Sequence, residues 1–217
     1  MRTAHVAHCG PTKHSQMEAL LAESRHFQLR LSEVNSLKPW GGYLRFSQDS
    51  LVPFLAAYWL DIDFKPPLVE SDVDPKILLV APQQMLSLQW HERRGEIWRV
   101  IDGPVQVTIG DDWDTLSHNV YESGSLIEIP PRKWHRLIGR KAWGRVAEIW
   151  DHTDVTMPSD ESDIIREHDI YGRADSQADA KWNSVYPRSS IASSARERTD
   201  GCVPLMRVND HGSDSCL

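Results

Sequence analysis

An all-β sandwich or barrel is the fold that this sequence predicts for residues 36–173, and three observations carry it. Short apolar or alternating runs recur with turn signals between them, at the roughly 8- to 12-residue spacing of all-β domains. Asp102-Gly103-Pro104 separates Ile97–Ile101 from Val105–Ile109 and reads as the turn of a hairpin. Aromatic weight is concentrated: there are nine tryptophans against four phenylalanines, and eight of the nine fall between Trp40 and Trp150. Chains that stay unfolded are poor in aromatics, so the core lies in that stretch.

Residues 1–35 form an N-terminal extension. Gln16–Leu31 can make an amphipathic helix with Met17, Leu20, Leu21 and Phe27 on one stripe, Ser15 as N-cap and Glu18 three residues on. Within 36–173, strands are expected at Lys76–Val80 (an apolar run), Met85–His91 (alternating), Ile97–Ile101, Val105–Ile109, Ser125–Ile129 and Arg145–Trp150. Residues 47–75 read as an insertion holding a short helix in LVPFLAAYWL and then an acidic, proline-containing loop. Residues 174–217 are rich in Ser, Ala and charge without periodicity. Burial there cannot offset conformational entropy, so a disordered C-terminal tail is expected.

Composition excludes several classes. No apolar run reaches the roughly 18 residues that a membrane helix needs, and MRTAHVAHCGPTKH lacks the apolar stretch of a secretory signal. Cys9, Cys202 and Cys216 show no paired spacing, which argues against a disulfide framework and a cysteine zinc site. The expected setting is cytoplasmic. Lys plus Arg total 24 against 31 Asp plus Glu, for a net charge of −7. Nucleic-acid binding is disfavoured, and an anionic ligand needs a local basic pocket.

The chemistry concentrates in Gln89-Trp90-His91-Glu92-Arg93-Arg94-Gly95-Glu96-Ile97-Trp98. On a strand, Gln89 and His91 share a face and Trp90 takes the other. A turn at 93–95 brings Glu96 back beside them, and His135 follows downstream. One amide oxygen, two imidazoles and one carboxylate suit a single divalent metal ion: zinc first, with manganese, cobalt, nickel or iron also compatible.

This order of residues resembles the two cupin motifs. Gln89 takes the first histidine place, with His91, Glu96 and Gly103 in register; Gly124, Pro130 and His135 fit the second motif. The resemblance implies a double-stranded β-helix, the jelly-roll barrel of the cupins. More narrowly, the stretch resembles the isomerase domain of type II mannose-6-phosphate isomerases. Lys38-Pro39-Trp40-Gly41-Gly42-Tyr43, Leu86-Ser87-Leu88-Gln89 with His91, Arg94, Glu96 and Trp98, Pro131 with His135-Arg136-Leu137, and Asp163-Ile164, Arg166, Asp169 and Tyr171-Gly172-Arg173 carry it. The sequence departs from that pattern at Gln83 and Arg132 (glycine in the family), at Glu92, Arg93 and Ile97 (histidine) and at Gly139 (asparagine). The insertion has no counterpart of its length, and no nucleotidyltransferase domain accompanies the domain.

The resemblance implies metal-dependent aldose–ketose isomerisation of a sugar phosphate, most like the interconversion of mannose 6-phosphate and fructose 6-phosphate. Gln89, His91, Glu96 and His135 would hold the metal. Arg94, as the catalytic group, and Arg136 would meet the substrate's phosphate or its enediolate charge, with Arg173 as a third such cation and Lys133 also binding substrate. The proton-transferring base has no single assignment: a metal-bound hydroxide, a nearby carboxylate or Lys133 could serve. The partner expected is a small sugar phosphate, with neither nucleic acid nor membrane, and a homodimer by analogy. A non-catalytic sugar- or sugar-nucleotide-binding cupin, which the lost histidines favour, and a metal-dependent oxygenase on the same barrel are the alternatives. Trp90 and Trp134, each beside a proposed ligand, are expected on the opposite face as packing.

Overall fold

A computed structural model describes residues 10–59, 73–154 and 156–173, all within the first of two units, Met1–Ala180. The expected tail at 174–217 and residues 60–72 of the expected insertion lie outside the described residues. The elements in order are α1 (Lys13–His26), β1 (Leu31–Asn35), β2 (Gly41–Phe46), α2 (Leu51–Tyr58), β3 (Lys76–Val80), β4 (Leu88–His91), β5 (Arg94–Asp102), β6 (Val105–Gly110), β7 (Ser117–Tyr121), β8 (Leu126–Ile129), β9 (Trp134–Gly139), β10 (Gly144–His152) and β11 (Ile164–His168). Among the described residues no helix is long and apolar enough to cross a membrane.

The strands form two antiparallel sheets, as the all-β reading requires. One has the order β1-β2-β3-β10-β5-β8, the other β11-β4-β9-β6-β7. A core shared by both sheets holds Leu78, Trp98, Val100, Ile127 and Val146 from the first and Val105, Val107 and Leu137 from the second. A second core lies on the other face of the larger sheet. There Leu44, Phe46, Ile77, Ile97 and Ile149 meet Met17 and Leu20 of α1 and Phe54 and Tyr58 of α2. The larger sheet is therefore covered on both faces, which is why Lys76–Val80 reads as an unbroken apolar run.

Helix α1 starts a turn earlier than Ser15. Thr12 is the N-cap: its hydroxyl accepts from the Ser15 amide at 3.2 Å, and the Ser15 hydroxyl accepts from the Thr12 amide at 3.0 Å. Ser15 thus plays the reciprocal part of a capping box. Gln28 takes a left-handed backbone (φ 57°) just after the helix and turns the chain into β1, an edge strand paired with β2. In α2, Pro53 sits in the first turn, where its missing N–H costs no hydrogen bond.

The expected hairpin at 97–109 does not form. β5 pairs with β10 and β8, while β6 pairs with β7 and β9 in the other sheet. Asp102–Pro104 is a corner between sheets, because Val100 and Val105 enter the same core from opposite sides. Gly103 is packed against the 121–123 backbone so closely that a Cβ would stand 2.9 Å from the Ser123 amide nitrogen.

Two departures from the family pattern meet in space. Gln83 keeps the left-handed backbone (φ 60°) that glycine adopts freely, and its amide donates to the carbonyls of Gly139 and Arg140 at 3.1 and 2.9 Å. Gly139 is then the residue that must be small: a Cβ there would lie 2.1 Å from the Ala81 carbonyl oxygen. Arg132, likewise at a family glycine position, is left-handed too (φ 64°) and forms an exposed two-pronged ion pair with Glu92, which replaces a family histidine.

Because a left-handed L-residue costs ~1–2 kcal/mol, Gln83→Gly is expected to raise unfolding stability by about 1 kcal/mol in urea titrations. Phe54→Ala, which empties a fully buried position among Phe46, Tyr58 and Trp59, is expected to lower it by about 3–5 kcal/mol. Equal midpoints for wild type and Phe54→Ala would place α2 outside the cooperative fold.

Candidate metal centre

Three elements bring His91, Glu96 and His135 together. His91 ends β4, Glu96 lies on β5 and His135 on β9; all three are buried, and one ligand atom from each falls within 4.8 Å of the others. His91 Nε2 is 2.9 Å from Glu96 Oε1, and His135 Nε2 is 3.3 Å from Glu96 Oε2. The turn that aligns them is Glu92–Arg93, one residue before the expected one, and the Asp163 carboxylate pins it by accepting from both backbone amides at 3.2 and 3.0 Å.

Both rings are oriented by backbone carbonyls. His91 Nδ1 donates to Asp163 O at 3.1 Å, and His135 Nδ1 donates to Lys133 O at 2.9 Å. A carbonyl only accepts, so each Nδ1 carries the proton and each neutral ring turns an Nε2 lone pair toward Glu96. Arg94 Nη2, 3.4 Å from His91 Nε2, meets that lone pair with a donor. His135 Nε2 is buried and makes no hydrogen bond. Burial pushes the His91 imidazole below its ordinary value in spite of Glu96, which keeps it neutral. Burial would raise the Glu96 carboxyl; positive charge on the facing imidazoles outweighs this and holds it well below the usual range, a part that a bound cation takes over when the rings are neutral. Two nitrogen lone pairs and a carboxylate thus converge with no proton between His135 and Glu96, and the set fits a divalent cation.

Gln89 lines the cavity that Glu96 also lines. It stands opposite His135 in the β4–β9 pairing, and its Oε1 accepts from Ser87 Oγ at 2.7 Å. Arg94 is stacked 3.8 Å over the Trp150 ring, 3.5 Å from Glu96 and donates to Ser159 Oγ and Asp160 O. Arg173 also lines the cavity. Arg136 and Lys133 are not brought there. Arg136 follows His135 on β9, so alternation sends it to the other face, where it is fully buried and donates to His168 O at 2.7 Å. Lys133 pairs with Asp111 outside the cavity at 2.5 Å.

The sequence reading missed Trp98, Glu148 and Lys76. The Trp98 indole N–H is shared by Glu96 and Glu148, 3.1 Å from an oxygen of each. Trp150 donates to the other oxygen of Glu148 at 3.2 Å, and Lys76 Nζ lies 3.7 Å from it. Burial, with Glu96 nearby, pushes the Glu148 carboxyl up to about 7. The available signal was a lone acid and a lone lysine on strands that are otherwise apolar (VAEIW and KILLV). Trp98 and Trp150 are therefore polar fittings of the site as well as packing. Trp90 and Trp134 do stand apart from it: Trp90 donates to Glu167 at 2.7 Å, and Trp134 packs edge-on against Trp113.

Protein loaded with zinc, manganese or cobalt is expected to hold about one equivalent of metal, and His91→Ala and His135→Ala to lose it in elemental analysis. Trp98→Phe, which strips the shared donor from two buried carboxylates, is expected to weaken metal affinity about 10- to 100-fold. Metal content unchanged in both histidine variants would remove the site.

Residues 70–169 match the family model described as mannose-6-phosphate isomerase C-terminal. The xanthan biosynthesis protein XanB of Xanthomonas campestris pv. campestris (strain B100) is 35% identical over 98 residues, which cover 45% of this chain and 19% of that protein. The chain thus matches about a fifth of that relative's length. Among solved structures, the capsular polysaccharide assembling protein CapF of Staphylococcus aureus aligns with a TM-score of 0.42 at 11% identity, over 61% of this chain and 31% of that one. KdgF from Halomonas sp. aligns with a TM-score of 0.40 at 11% identity, over 60% and 89%. Residues 70–169 are thus similar to the mannose-6-phosphate isomerase C-terminal family, and the described strands form the two antiparallel sheets of an all-β fold.

Proposed function

We propose that this domain is a metal-dependent aldose–ketose isomerase of sugar phosphates, of the kind that interconverts mannose 6-phosphate and fructose 6-phosphate. The observation that carries the reading is the convergence of two imidazole lone pairs with the Glu96 carboxylate, which lines a cavity that a second buried carboxyl, Glu148, also lines. His91, Glu96 and His135, with Gln89 beside them, would hold the metal, which when bound polarises the substrate oxygens at C1 and C2.

The remaining work falls to the protein. Moving a proton between C1 and C2 needs a base that titrates near neutrality, and Glu148 has that property and that position. The indoles of Trp98 and Trp150 hold its two oxygens, so the carboxyl cannot swing out of the cavity. Lys76, itself buried and paired with Asp74 and Glu161, places a positive charge beside it. Arg94 sets the position of Glu96 and of the loop at 159–160.

The histidines that the family carries and this chain lacks do not bear on the site. Glu92 is exposed in its pair with Arg132, Arg93 binds Asp163 and Pro158 O at the rim, and Ile97 packs in the core beneath α1. Their loss therefore gives no support to a non-catalytic module.

A coupled assay on metal-loaded protein is expected to show interconversion of mannose 6-phosphate and fructose 6-phosphate; no turnover at full metal occupancy refutes the reading. Glu148→Gln is expected to keep the metal and to lower kcat about 10²- to 10⁴-fold. The base works as the carboxylate, so kcat falls as pH drops through the Glu148 pKa. A cation at Glu96 pulls that pKa below about 7, and the acid limb of the wild-type profile is expected there and absent from the variant.

A further inference from the structure

We infer that Arg166, Arg173 and Lys38 form a clamp for a phosphate monoester at the mouth of this cavity. The three come from different elements: Lys38 from the β1–β2 connection, Arg166 from β11 and Arg173 from the segment after it, and all three line the cavity. Only Arg173 was matched to phosphate by sequence, and the other two expected cations, Arg136 and Lys133, are engaged elsewhere.

The charges in this cavity are unevenly satisfied. Each acid lining it has a cation or a ring of donors: Glu96 has the two imidazoles and Arg94, Glu148 has the indoles and Lys76, and Glu161 has Lys76 and Arg45. Lys38 and Arg166, by contrast, have no carboxylate within ion-pair distance among the described residues. Lys38 rests over the Tyr43 ring, 5.6 Å from its centroid. Arg166 Nε is buried without a hydrogen bond. Arg173 lines the same cavity with its Nε donating to Asp169 Oδ2 at 2.5 Å, so a bound anion would meet its Nη groups and the Arg166 guanidinium together. Two neighbouring forked guanidiniums and an ammonium suit the several oxygens of a phosphate dianion. In a protein of net charge −7 they form a local basic pocket against the overall field.

Register gives the distance. Arg166 pairs with Gln89 across β11 and β4, and Gln89 pairs with His135 across β4 and β9. Cross-strand partners share a face, so the three residues form one row running from the clamp to the metal-binding group. Two strand spacings separate the row's ends, roughly 10 Å between Cα atoms. That span fits a sugar monophosphate long enough to reach from its carbonyl end to a terminal phosphate. This choice of sugar rests on the isomerase reading; the phosphate clamp does not.

Calorimetric titration of the metal-loaded full chain with inorganic phosphate, and with fructose 6-phosphate against fructose, tests the inference. Wild type is expected to bind both phosphate compounds and to prefer fructose 6-phosphate over fructose. Arg166→Gln is expected to weaken both about tenfold or more, and the more accessible Arg173→Gln and Lys38→Gln each by a smaller factor. Metal content and thermal midpoint should be unchanged in the last two, which keeps the test valid if Arg166→Gln fails to fold. Failure of wild type to bind either phosphate compound, or wild-type affinity in the variants, overturns the clamp. Clamp-dependent binding without turnover upholds it and rejects the isomerase; turnover with an unchanged KM in the variants does the reverse.

Discussion

The Glu96 carboxylate is the interaction on which the site depends. It is buried between two imidazoles, an indole N–H and a guanidinium. An isolated buried carboxylate is costly, and so are two buried imidazole lone pairs without donors. All three are acceptors and do not satisfy one another, and His135 Nε2 has no donor. That residual deficit is what makes the group a cation site rather than a closed hydrogen-bond network. Its geometry is fixed from behind by backbone: carbonyls at Asp163 and Lys133 hold the rings, and the Asp163 side chain holds the turn that carries the chain from β4 to β5.

Departures from the family pattern touch one another in pairs. Glycine absent at position 83 is answered by glycine at 139, where the two turns touch; the family histidine replaced by Glu92 is answered by Arg132 across the same rim. The backbone conformations survive because left-handed φ is expensive for Gln83 and Arg132 but not forbidden. These four departures from the family pattern thus lie outside the lining of the cavity.

Charge is also sorted within the cavity. On the larger sheet the register runs Glu33, Arg45, Lys76, Glu148, Trp98 across five strands, so an acid stands beside each of the two central cations. On the facing sheet the row is Arg166, Gln89, His135, with no acid in it. One wall thus satisfies itself and the other presents cation and lone pairs to whatever enters. This asymmetry gives the cavity a direction, with carboxylates toward one wall and unneutralised guanidinium toward the other.

The order and spacing of Gln89, His91, Glu96 and His135 were legible in the sequence, as were the all-β class, the helix in 51–58 and the unbroken strand at 76–80. Period-two alternation and turn chemistry are local, and a linear motif records the strands that converge on a site. The strands β1, β2, β7, β9 and β11 were not legible: β9 is covered on both faces and loses its alternation, and β7 is largely exposed and polar. Nor could the sequence tell a hairpin from a corner between sheets at residues 97–109, since the same turn residues serve both and only the shared core decides. Placement of charge was likewise a tertiary matter. Arg136 and Arg166 look alike in one dimension, but alternation beside His135 turns the first away and pairing with Gln89 turns the second inward. The sequence determined which donors exist and in what order; the packing of two sheets decided which of them face one another, because burial selects a face and register selects a neighbour.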